Sequence, residues 1–313
     1  MEAKGMKIGF LSNQIDNRGT GNALFNYAYY NKVLLNNESI IYTFSTVNHN
    51  EEALRYFSQV FGGINIISGP DDITEVDALY HIKSGGYDGF DAKVPYLVHS
   101  VFENVPHGTV YATISEWMGL RLQLPYVPHI VQLPEIDNNL RESLGIPESA
   151  TVFGRYGGRD SFDIPWAWGA INRALEARSD YYFFFMNTDI PEVDFYDPKR
   201  VVFMGATVNP YYKRTFINTC DAMLHARFRG ETFGLAVGEF AFCGKPIITY
   251  EDSPEKAHIW ELREWGTYYS DEESLFAQLV SFDKSGEVPP LYQQFSPENV
   301  MRDFNEVFLS GLT

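Results

Sequence analysis

Cysteine is almost missing from this 313-residue chain: only Cys220 and Cys243 occur, both in apolar surroundings. Two such thiols rule out a disulfide framework and fit the reduced interior of a cell, so a cytoplasmic location is expected. No stretch of about 18 apolar residues is present, and no integral membrane segment is expected. The start, MEAKGMKIGF, lacks the apolar core of a signal peptide. Residues 1–5 can be read as a leader, with Met6 a natural-looking start. The seven histidines never fall into an H-x3-H or H-E-x-x-H spacing, so a zinc site has no support. A P-loop, a G-x-S-x-G elbow, a C-x-x-C pair and a D-x-D triplet are all lacking. Neither a metal nor a cofactor is expected. Basic residues are few as well: 24 Lys and Arg face 41 Asp and Glu, for a net charge of −17. Such a surface repels phosphate backbones and anionic headgroups, which disfavours nucleic acid or a membrane surface as a general partner.

What remains is a globular composition, 45% hydrophobic and 21% charged. Short apolar runs that read as strands alternate with helical stretches, the pattern of parallel sheets wrapped by helices. Strands are expected at 7–11, 40–45, 64–68, 78–82, 96–101, 110–115 and 129–133. After the proline-punctuated PEIDNNLRESLGIPESA the pattern restarts, with strands at 151–155, 182–186, 201–203, 222–225, 246–250 and 267–269. Two doubly wound domains follow, 1–138 and 139–290, and residues 291–313 contain an amphipathic terminal helix.

The richest stretch is HARFRGETFGLAVGEFAFCGKPIIT, from His225 to Thr249. It reads as a strand end, a polar loop with Arg227, Arg229 and Glu231, a helix over 233–242 and a further strand. Such β-loop-α-β units place ligands at the carboxyl ends of the strands. Glu231 and Glu239 stand eight positions apart, so a helix over both would turn them to one side, Glu231 at its mouth. The alternative is plainer, with Glu231 capping the helix and Glu239 solvated. However, Glu239 sits in an apolar run, where a carboxylate is costly without a partner.

RGETFGLAVGEFAFCGKPIIT resembles the E-x7-E signature of the retaining GT-B glycosyltransferases of family 4. The resemblance covers about 25 residues in the right order. It implies two Rossmann-like doubly wound domains facing a central cleft, an α/β fold. It also implies that the terminal helix folds back on the first domain. Carried over, Glu231 with Phe233 and Gly234 holds the donor sugar, and Glu239 takes the ribose hydroxyls of the nucleotide. The glycines of DNRGTGNALFNYA read either as a bare turn or, by the resemblance, as a donor-binding loop at Gly19, Thr20 and Gly21. His99 in YLVHSVFE reads as a structural residue after a strand, or by the resemblance as a contact to the donor sugar. The following YATISEWM resembles a "SEW" segment of the same family. FGRYGGRDSFDIPW lies where the family holds the diphosphate with an Arg and a Lys. Arg159 matches the Arg. The Lys is absent, and Arg155, Arg227 or Arg229 are the candidates for its place.

The resemblance implies an enzyme, a metal-independent hexosyltransferase-like protein of glycan biosynthesis. Its partners would be a nucleotide diphosphate sugar and a glycan or other hydroxyl acceptor. Glu231, His99 and Arg159 would stand nearest the reaction. A nucleotide-sugar binding module that has lost turnover is the alternative, motivated by the absent Lys. Nucleotide-sugar epimerisation on the same fold is a third.

Overall fold

A computed structural model describes residues 5–16, 18–286 and 288–312. All of the leader reading except Gly5 lies outside the described residues. The chain divides into two compact units, residues 1–130 with 294–313, and residues 131–293.

In the first unit β1 (Lys7–Ser12), α1 (Gly19–Val33), β2 (Glu38–Phe44), α2 (Glu51–Phe61) and β3 (Asn65–Ile67) are followed by β4 (Ala78–Lys83). Then come β5 (Tyr96–Ser100), β6 (Val110–Thr113) and α3 (Glu116–Leu122). The strands form one parallel sheet in the order β3-β2-β1-β4-β5-β6. All six residues of β4 are buried, as expected for a strand covered on both faces. The strand expected at 129–133 does not form. Pro128 and Pro134 bracket it, and proline has no N–H with which a ladder could start or run on at either end. Its apolar side chains Ile130, Val131 and Leu133 are buried all the same.

The second unit repeats the plan. It contains β7 (Thr151–Tyr156), α4 (Ala167–Ala177), β8 (Tyr181–Met186), β9 (Val201–Met204), α5 (Pro210–Thr219) and β10 (Ala222–His225). After these come β11 (Gly230–Glu231), α6 (Leu235–Phe242), β12 (Ile247–Tyr250), β13 (Glu255–Lys256) and α7 (Ala257–Leu262). β14 (Gly266–Tyr269) and α8 (Glu272–Val280) complete it. The parallel order is β14-β12-β10-β7-β8-β9, with β11 and β13 as a separate small pair. On one face Phe153, Phe183 and Phe185 of the strands pack with Trp168 and Ile171 of α4 and Leu275 of α8. On the other, the rings of Tyr156, Phe216 and Phe240 meet.

The expected boundary at 138 lies inside this second unit. Asn218 Nδ2 donates to the carbonyls of Ile136 and Asn138, at 2.7 and 3.1 Å, and so ties the connecting segment to α5. The last helix, α9 (Pro297–Phe304), runs on into a wider π-helical turn, Asn305–Leu309. It packs within the first unit, where the Phe304 ring lies 5.2–6.3 Å from those of Phe10, Tyr27 and Tyr80.

Candidate functional site

In the second sheet the chain moves outward from β7 in both directions, to β8 on one side and to β10 on the other. The loops after β7 and β10 therefore part at a topological switch point, where open α/β sheets bind ligands. Arg155, the next-to-last residue of β7, organises the first of these loops. Its Nη1 donates to the Asn187 carbonyl (3.2 Å) and the Thr188 hydroxyl, its Nη2 to the Gly158 carbonyl (2.8 Å) and Ser161 Oγ (2.6 Å). The guanidinium is buried, and burial together with the nearby Arg227 pushes it down to about 10, while Glu231 works in the other direction. Arg155 is thus a buried cation held by neutral acceptors.

Glu231 lies just past β10. Its Oε1 accepts from His225 Nε2 at 3.2 Å and its Oε2 from Arg227 Nη1 at 2.7 Å. Burial raises its carboxyl, but the His225 bond and the Arg227 charge outweigh that and bring it down from 4.5 to about 2. A folded-state value below the unfolded one means that this group's stabilisation is complete above about 4.5 and lost as pH falls towards 2. Glu231→Gln is accordingly expected to flatten the loss of unfolding free energy over that window, as measured by urea denaturation. An unchanged slope would show that the carboxylate is not held in this way.

Glu231 was expected in the loop at the mouth of the helix and Glu239 within it, the two leaning to one side; only Glu239 is helical, and the two point apart. α6 begins at Leu235 because Gly234 adopts a left-handed conformation, φ +86°. A side chain there would be strained, and its Cβ would stand 3.2 Å from the Cβ atoms of Glu231 and His258. The turn sends Glu231 towards β10, while Glu239 points into the packing between α5 and α6. There Lys213 Nζ reaches its two carboxylate oxygens at 3.1 and 3.4 Å, and the Tyr156 hydroxyl donates to it. Their side chains are only 8% and 7% exposed. The carboxylate that the resemblance assigns to ribose is already engaged inside the unit.

The other expected residues separate into groups. Phe233 is buried, with its ring edge-on to Tyr292 at 6.1 Å. Arg227 belongs with Glu231, whereas Arg229 is an exposed residue of the same loop. Arg159 pairs with Asp189 and its side chain is 77% exposed. In the first unit, Gly19, Thr20 and Gly21 lie not in a loop but in the first turn of α1. Gly21 is required there by space, since a Cβ would meet the Asp16 carbonyl oxygen at 2.4 Å.

His99 is fully buried. Nε2 faces the carbonyls of Thr113 (3.1 Å) and Val127 (2.9 Å), so it carries the proton, and Nδ1 accepts from the Tyr80 hydroxyl at 2.6 Å. Both ring nitrogens are used, which makes His99 a brace of the core rather than a sugar contact. Burial holds it down at about 4, neutral under ordinary conditions. His99→Leu is expected to cost roughly 3 kcal/mol of stability, since a hydroxyl and two carbonyls lose their partner. Nucleotide-sugar affinity, followed by calorimetry, should stay the same. A tenfold loss of affinity in a fully stable variant would restore the sugar-contact role.

No family profile and no curated protein matches the chain. Solved structures do. HepE of Anabaena, in complex with UDP-glucose, superposes with a TM-score of 0.64 at 14% identity, over 97% of this chain and 95% of that one. Sucrose-phosphate synthase of Thermosynechococcus elongatus gives 0.57 at 13% identity, with the same coverage of both chains. A proposed UDP-N-acetylglucosamine 2-epimerase of Listeria monocytogenes gives 0.59 at 12% identity and covers 97% of each. The fold is that of the GT-B glycosyltransferases. A structure assigned to a different reaction thus shares the fold, so the reaction has to be argued from the site.

Four residues of this GT-B site stand out only in three dimensions. His225 and His258 have their rings 4.9 Å apart, with Thr249 Oγ1 bonded to both. Lys213 is the partner that a carboxylate in an apolar run demands, and that demand is visible in the sequence although the partner's position is not. Among the described residues no cluster of three or more His, Cys, Asp or Glu could hold a metal ion. No helix among them is long and apolar enough to cross a membrane.

Proposed function

We propose that this chain is a retaining, metal-independent glycosyltransferase of the family 4 kind, moving a hexose-type sugar from a nucleotide diphosphate donor to a glycan or other hydroxyl acceptor. The observation that carries the reading is Glu231, a carboxylate kept ionised by His225 and Arg227 at the switch point of the sheet. Sugar hydroxyls are good donors to such a group, and positive charge grows at the anomeric carbon as the bond to the diphosphate breaks. The leaving diphosphate needs the opposite sign. Buried Arg155, exposed Arg159 and Arg229 on the adjoining loops, and the first turn of α6 supply it. HepE, crystallised with UDP-glucose, supports a nucleotide sugar as the donor class. Metal independence rests on the lack of D-x-D, and a cytoplasmic location on the two unbridged cysteines.

The test is a transfer assay with a panel of nucleotide sugars and acceptors, read by mass spectrometry and NMR. Nucleoside diphosphate release, an unchanged anomeric configuration and resistance to chelator are expected. An inverted product would overturn the retaining mechanism, and an epimerised free sugar the transfer. One observation favours the binding-module reading, namely that Glu239 is committed to Lys213 and Tyr156. A pure binder would gain thermal stability with a nucleoside diphosphate and release none from any donor.

A further inference from the structure

The side chains behind Glu231 form an unbroken hydrogen-bonded line. Glu231 Oε1 meets His225 Nε2, His225 Nδ1 meets Thr249 Oγ1 at 2.8 Å, and Thr249 Oγ1 meets His258 Nε2 at 3.1 Å. His225 and His258 are buried, and Thr249 has no exposed surface at all. The far end, His258 Nδ1, is buried and has no hydrogen-bond partner.

An ionised carboxylate only accepts, so His225 Nε2 carries a proton in every state of the line. What lies behind it can be arranged in two ways. With a neutral His225, Nδ1 is a bare acceptor; it takes the Thr249 hydroxyl proton, and Thr249 in turn accepts from His258 Nε2–H. With a protonated His225, Nδ1–H donates to Thr249, Thr249 donates to a bare His258 Nε2, and the single proton of the neutral His258 sits on Nδ1. A carbonyl bonded to His258 Nδ1 would lock the second arrangement, and a donor would lock the first. The orphan nitrogen leaves both available. We propose that Thr249 and His258 form a reversible relay behind His225, and that His225 is the positioning residue that keeps Glu231 fixed and sets the net charge of the Glu231–His225 pair.

The relay rests on the reading of Glu231 as the sugar-facing carboxylate, and its pH dependence on His225. The groups that face it are Glu231 on β11, Arg227 on the loop after β10, Arg155 on β7 and Lys256 on β13. The Tyr269 hydroxyl on β14 holds the His225 carbonyl at 2.7 Å, and the buried Tyr292 lies close enough to feel the Glu231 charge. His258 itself is kept neutral, down at about 3, by burial and then by His225.

Two measurements on the full-length protein test this. Long-range proton–nitrogen NMR of the imidazoles is expected to show His225 with its proton on Nε2 at neutral pH. It should also show a titration of His225 that moves to lower pH in His258→Phe, because the protonated line loses its last acceptor. Thr249→Val should have the same effect and Thr249→Ser should not, which guards against a His258 variant that fails to fold. In the transfer assay, kcat should fall on the acid side. His225→Gln keeps an N–H for Glu231 but cannot titrate, so the turnover it keeps should lack the acid limb. His225→Ala should lower kcat by about tenfold, the effect of one lost hydrogen bond, with less change in donor KM. A neutral form of His225 that carries its proton on Nδ1 and not on Nε2, or a His225 titration indifferent to both Thr249→Val and His258→Phe, would overturn the relay. An intact NMR signature in a protein that transfers no sugar would overturn the function instead.

Discussion

Glu231→Gln is expected to lower the transfer rate by about a hundred- to a thousandfold, the size of effect seen when one preorganised charge-stabilising contact is removed. The substitution keeps the side chain's shape and an oxygen for His225 or Arg227, removes the charge, and leaves the other donor facing an amide NH2. The loss should fall mainly on kcat, because the carboxylate opposes charge that grows as the sugar leaves. Binding of free nucleoside diphosphate, which carries no sugar, should change little. Glu231→Ala should be worse in one respect, since Arg227 and the His225 Nε2–H are then left without their acceptor. Steady-state kinetics on one donor, with calorimetry on the free nucleotide, decides the matter. A variant that loses nucleotide affinity as strongly as turnover would place Glu231 on the nucleotide rather than on the sugar.

Lys213→Met should cost roughly 3–5 kcal/mol of stability, the usual result of leaving one member of a buried ion pair without the other. Both side chains are more than nine-tenths buried, so little water reaches Glu239 once the ammonium is gone. Tyr156 would remain as a donor, but a hydroxyl cannot balance a full charge. Lys213→Met combined with Glu239→Leu should recover most of that loss, because apolar replacements of similar volume often match a buried pair in stability. The measurement is a double-mutant cycle in guanidinium. Strict additivity would mean that the pair has no special worth. The same pair bears on function. If Glu239 turns from Lys213 to the ribose on binding, the double variant loses nucleotide affinity; a variant that binds normally fixes Glu239 as structural.

Most of the strands were legible because a parallel sheet buries both faces and writes itself as short apolar runs. Ala78–Lys83 and Thr151–Tyr156 are of this kind. The run around His129 misled, since its apolar pattern records burial, which it has, and not the pairing that Pro128 and Pro134 curtail at its two ends. At the site, the motif identified Glu231, Glu239 and the glycine at 234. What periodicity could not supply was the left-handed turn that separates the two carboxylates. It follows from φ +86° at Gly234, and a glycine in a loop does not announce which sign of φ it will take. His225, Thr249 and His258 were equally hidden, because parallel neighbours meet across the sheet at sequence separations that no local pattern records. His99 is the opposite case, a motif-like histidine whose two ring nitrogens are both engaged inside its own unit.

The route of the chain has a consequence for the order in which the protein is made. Residues 131–293 are contiguous, so the second unit has all of its parts once that stretch has left the ribosome. The first unit does not. Phe304 and Phe308 lie against rings of β4 and β5, and Phe304 also against α1, so this core stays open until the ribosome has added residues 294–309. During synthesis the earlier-made half is therefore the later to close, and it exposes Phe10, Tyr27 and Tyr80 while it waits. Ribosome-bound chains stalled so that residue 293 has emerged while residues 297–309 are still inside the ribosome should accordingly be cut by protease in the first unit and protected in the second.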